Sequence, residues 1–104
     1  MFTSPDARTL DDTQRRELTK LTYAGLVEIR SLLRSGRHEQ AAAVVEAFHN
    51  LPLFLYSEHF SFAALRQVLE DYQAKFAGHL QIDFLAELDR IASGGRMRNV
   101  QAPD

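Results

Sequence analysis

The residues best equipped for chemistry are the four histidines, His38, His49, His59 and His79. Imidazole titrates near neutrality and ligates transition metals, so the set raises both acid–base catalysis and metal binding. Glu46 and His49 form a Glu-x-x-His pair. Residues three apart on a helix share a face, as carboxylate-bridged metal sites require. A di-iron bundle needs a second such pair with further helical glutamates, and the chain lacks that set. Glu58 and His59 lie across an aromatic segment from His49. Convergence of Glu46, His49, Glu58 and His59 would make a small metal-dependent or acid–base enzyme, which stands as the alternative reading. Glu46 and His49 are its metal candidates; no cofactor and no catalytic residue is assigned.

Nucleophilic and nucleotide chemistry have weaker support. Ser57 or Ser61 beside a histidine would need an acid and a nucleophile elbow, and no Gly-x-Ser-x-Gly segment occurs. Either serine serves more simply as a helix cap. Gly94-Gly95 lacks the glycine spacing and following helix of a phosphate cradle. Arg30, Arg34 and Arg37 recur at helical intervals and define a further alternative, a nucleic-acid-associated domain. A net charge of −2 and a pI near 6.1 oppose generic attraction to phosphate backbones, so nucleic acid is not the expected partner.

These side chains must be positioned by a chain of 104 residues, 45% hydrophobic and 25% charged, a composition that supports one folded core. Cysteine is absent, which excludes disulfides and thiolate chemistry. The opening residues do not resemble a secretory signal, so the expected compartment is the cytoplasm. The apolar run Leu51 to Leu55 is broken by Pro52 and far too short to span a bilayer, so no membrane partner is expected.

The periodicity predicts an all-α fold, a compact bundle of four main helices with a short extra helical turn after Pro52. Residues 1–9 read as a flexible leader, 10–93 as the helical domain and 94–104 as a flexible tail. Asp11 or Asp12 caps a first helix whose stripe is Leu18, Leu21, Gly25, Ile29, Leu32 and Leu33. Ser35-Gly36 ends it. A second helix, 38–49, uses Ala41, Ala42, Val44, Val45 and Phe48, making an antiparallel hairpin. The segment Gly36-Arg37-His38-Glu39-Gln40-Ala41-Ala42 resembles the turn and second helix of a tetratricopeptide unit. That likeness covers one hairpin with no second copy, and stacked arrays need several, so the family is not assigned.

Ser57 or Ser61 caps a third long helix carrying Phe62, Leu65, Val68, Leu69, Tyr72 and Phe76, with Gly78 as its stop. A fourth covers 81–92, with Ile82, Leu85, Leu88, Ile91 and Ala92 inward and Asp83, Glu87 and Asp89 on the wet side. The segment 51–62 concentrates aromatic surface at a helix junction. Its rings either pack inside or remain exposed as a homodimer seam or partner groove, because interface centres are rich in aromatics. Leu53, Phe54, Tyr56, Phe60 and Phe62 are the interaction candidates. The expected function is a small non-enzymatic protein-interaction or regulatory module, homodimeric or bound to a protein partner.

Overall fold

The computed structural model describes residues 9–97. Most of the expected leader and tail therefore lies outside the described residues. Four main helices, α1 (Asp12–Arg34), α2 (His38–Phe48), α4 (Phe62–Lys75) and α5 (Phe84–Ala92), are joined by a four-residue helix, α3 (Leu51–Phe54). The fold is an all-α bundle, with no strand among the described residues.

Local chemistry explains the boundaries. The Asp11 carboxylate accepts from Gln14 N at 2.7 Å and opens α1. At the other end Gly36 takes φ +75°, Gly36 N donates to Leu33 O at 3.2 Å and Arg37 N to Leu32 O at 2.8 Å. This paired closure satisfies carbonyls that a helix end leaves free, and it turns the chain back into α2. Gly94 closes α5 the same way, with φ +88° and a Gly95 N to Arg90 O bond of 2.7 Å. Pro52 sits in the first turn of α3, where its missing N–H costs nothing. Ser61 Oγ accepts from Ala64 N at 3.0 Å and starts α4.

Two boundaries differ from the sequence reading. The α4 helix ends at Lys75, and Gly78 lies inside a separate 3-10 turn, Ala77–His79. The last helix starts at Phe84 instead of 81 because Asp83 is its cap, its carboxylate accepting from Ala86 N at 3.1 Å.

The molecule measures 37 × 33 × 20 Å. A helix with its side chains is about 10 Å across, so the short dimension holds two layers and every helix keeps an outer face. Between the layers lie Leu18, Leu21, Leu32, Leu69, Phe84, Leu88 and Ile91, all fully buried. Phe84 joins three helices, meeting the Phe48 ring edge-on at 5.0 Å and the Tyr72 ring at 6.1 Å. The expected inward stripes need correcting at Leu33, Ala42, Val45, Val68 and Ala92, which face outward, and at Gln40 and Glu87, which are buried. Met97 packs against the interior, and its N–H donates to Glu17 Oε1 at 2.9 Å.

Gly25 lies where α1 crosses the Phe48 ring of α2. A Cβ at this position would stand 2.8 Å from Phe48 Cδ2. The ring cannot swing aside freely, because it is buried and packed edge-on against Phe84. Gly25→Ala gains about 1 kcal/mol of helix propensity but creates overpacking that costs typically 1–3 kcal/mol. We expect a net loss of about 1 kcal/mol in urea unfolding; an unchanged or raised midpoint would show that the contact gives way easily.

Candidate functional site

The histidines do not form a centre. All four are exposed. The His49 ring meets its own helix end, with Nδ1 3.1 Å from Glu46 O, and does not reach the Glu46 carboxylate. His59 N donates to Ser57 Oγ at 3.0 Å, while Ser61 is occupied as a cap. Among the described residues no group of three or more His, Asp or Glu side chains is arranged to hold a metal ion.

The aromatic connector divides into two sets. Phe60 and Phe62 are 3% and 6% exposed and pack edge-to-face at 4.9 Å, so these two candidates belong to the interior. Leu53, Phe54 and Tyr56 are 76%, 45% and 78% exposed. The reason is local: α3 is one turn long, and the segment turns Leu51 and Leu55 inward while Leu53 and Phe54 between them, and Tyr56 just after them, point outward.

Arg15 fastens this projection to α1. Its Nε donates to Leu55 O at 3.0 Å, one terminal nitrogen donates to Leu10 O at 2.8 Å, and the other pairs with Asp12 at 2.7 Å. The guanidinium also lies 4.5 Å from the centroid of the Tyr56 ring, a cation–π contact. The Tyr56 ring is held in place without being covered.

The sequence reading missed a second apolar surface. Tyr23, Leu26, Val27 and Leu33 are exposed along α1, interleaved with exposed Arg30 and Arg34. The spacing 23, 26, 27, 30, 33, 34 is itself a helical stripe, opposite the one that packs inward. In the sequence the arginines interrupt this outward stripe, and of its members only Leu33 falls within the apolar period expected to face inward. Arg37 lies beyond the end of α1, in the capping position of α2, and is also exposed.

The interior holds charge that periodicity did not show. Glu17, Glu28 and Glu87 are buried. Burial pushes the Glu17 carboxyl up, but hydrogen bonds from Lys20 and Met97 N, with the charges of Lys20 and Arg96, outweigh it and hold Glu17 below the ordinary range. Glu87 is paired with Arg90 at 2.8 Å.

Glu28 is the contrasting case: burial raises it, and only a hydrogen bond from the Gln81 N–H opposes that rise. Its Oε2 has no partner. Beside this group Gln40 Nε2 donates to Tyr72 Oη at 3.0 Å and to His79 O at 3.1 Å, tying α2 to α4 and the 3-10 turn. Burial, together with the Glu28 charge, raises the Tyr72 phenol despite the Gln40 hydrogen bond. The cluster fixes the 79–81 connection against α1 and α2, which is a structural task.

Among the described residues no helix is long and apolar enough to cross a membrane. Comparison with known protein families, with curated proteins and with solved structures gave no match.

Proposed function

We propose that this chain is a non-enzymatic protein-interaction module that self-associates as a homodimer through α3. The observation that carries the reading is the exposure of Leu53, Phe54 and Tyr56 together on one fastened turn. Isolated surface hydrophobes are ordinary, but adjacent large apolar side chains rimmed by polar residues mark contact surfaces. A two-fold dimer places the same patch against itself, so the leucine and rings of one copy cover those of the other. The cytoplasm is the compartment assumed within this proposal.

Sedimentation velocity over about 1–100 μM, the range of modest homodimers, tests it. The wild-type chain is expected to shift from monomer to dimer with concentration, and Leu53→Glu to remain monomeric with an unchanged helical spectrum. A monomer at every wild-type concentration would end the homodimer reading.

A further inference from the structure

The outer face of α1 has a charge pattern as well as an apolar one. Along α1 the exposed ionisable side chains are Asp12, Arg16, Lys20, Tyr23, Arg30 and Arg34, with exposed Arg37 just beyond the helix; Asp12 is paired with Arg15, and the other two acids of α1, Glu17 and Glu28, are buried. Lys20 is committed to Glu17 at 2.8 Å. Arg16, Arg30, Arg34 and Arg37 have no ion pair among the described residues, whereas Arg15, Arg66, Lys75 and Arg90 all do. An open depression of about 270 Å³ flanks the C-terminal half of this face, lined by Val27, Arg30, Ser31, Arg34 and Ser35.

We propose that the outer face of α1 docks an acidic amphipathic helix of a partner protein, apolar side chains meeting Tyr23, Leu26, Val27 and Leu33 and carboxylates meeting Arg30 and Arg34. Helix-on-helix contact reads anchors at intervals of three and four, which is the spacing this face presents. Guanidinium groups match carboxylates in geometry as well as in charge. A second copy of this chain offers Arg30 and Arg34 little on this face, because the one exposed acid of α1, Asp12, is already paired with Arg15. A phosphate backbone would satisfy the arginines and leave the four apolar side chains facing solvent or sugar. A lipid surface favours segregated apolar and basic faces, whereas here Arg30 stands among Leu26, Val27 and Leu33.

The inference rests on the interaction-module reading but uses a different face from the α3 dimer, so each can fail alone. The test uses the full chain and a fluorescent synthetic helix of about 18 residues, stabilised by a helix-promoting sequence, with leucines at intervals of three and four flanked by glutamates. Saturable binding that weakens with salt is expected. It should fall about tenfold or more in Arg30→Glu/Arg34→Glu, as charge reversal at a complementary contact implies. It should fall in Leu26→Ser/Val27→Ser, which keeps the charge, and remain in Lys75→Glu, a reversal on another face. Helical spectra identify any variant that fails to fold, and Arg30→Gln/Arg34→Gln then replaces the reversal.

No binding, or equal binding to a helix with the same glutamates and no leucines, would overturn the proposal. So would tighter binding, through the same arginines, to double-stranded DNA, to single-stranded RNA or to phosphatidylserine vesicles. A monomer in sedimentation together with saturable peptide binding would end the α3 dimer and leave this site standing.

Discussion

Phe84→Ala lowers the free energy of unfolding by about 3–5 kcal/mol, the range for deleting a buried aromatic side chain. Phe84 is fully buried and lies between Phe48 of α2 and Tyr72 of α4, so its removal leaves a void walled by rings from two other helices. Those rings are held by Gly25 on one side and the Gln40 hydrogen bond on the other, which limits collapse into the space. For a domain of this size, with a total stability of about 5–15 kcal/mol, the loss is a large fraction. Urea unfolding followed by circular dichroism should show a much lower midpoint, whereas Phe84→Leu, which retains most of the volume, should cost under about 1.5 kcal/mol. A loss below about 1 kcal/mol for the alanine variant would mean that Phe84 does not join the helices as described.

The second large effect concerns charge and has an unusual sign. Glu28→Gln is expected to stabilise the protein at neutral pH, by on the order of 1–3 kcal/mol, because it removes a buried charge with an unpartnered oxygen while keeping an acceptor for Gln81 N. The sign follows from linkage: burial raises the Glu28 carboxyl, so the folded state holds its proton more tightly than the unfolded state. The stabilisation linked to that proton is complete below the unfolded pKa and is lost as pH rises through the folded one. The gap between Glu28→Gln and wild type should therefore open from acid toward neutral pH.

Glu17→Gln should behave in the opposite way. Although burial opposes it, Lys20 and Met97 N hold Glu17 below its ordinary range, so its contribution is present above the unfolded pKa and lost as pH falls through the folded one. The variant should be less stable than wild type at neutral pH and converge on it in acid. Parallel pH profiles for the two variants would contradict the two environments.

These buried acids mark the limit of what the chain discloses before folding. Asp11, Ser61 and Gly36 act through neighbours a few residues away, so caps and stops are legible in sequence. Pro52 announces its short helix for the same reason. Asp83 has the same capping chemistry, but acids at 83, 87 and 89 together read as a wet face, which puts the expected start of the last helix at 81 instead of Phe84. The carboxylates Glu17 and Glu28 are buried because Met97 N and Gln81 N reach them from distant segments, which no local pattern reveals.

The candidate surface was partly legible. The cluster Leu53 to Phe62 is visible as composition, but its division into exposed Leu53, Phe54 and Tyr56 and interior Phe60 and Phe62 depends on how a single turn is oriented. The outer stripe of α1 was present in the spacing and obscured by its arginines.

The dimer claim is tested most directly by amide chemical shifts of the isotope-labelled chain during serial dilution. The α3 dimer predicts concentration-dependent shifts concentrated at Leu53 to Ser57 and in the neighbouring Arg15 turn of α1, with α5 unchanged. Spectra that do not move with concentration, or shifts centred on α5, would contradict it.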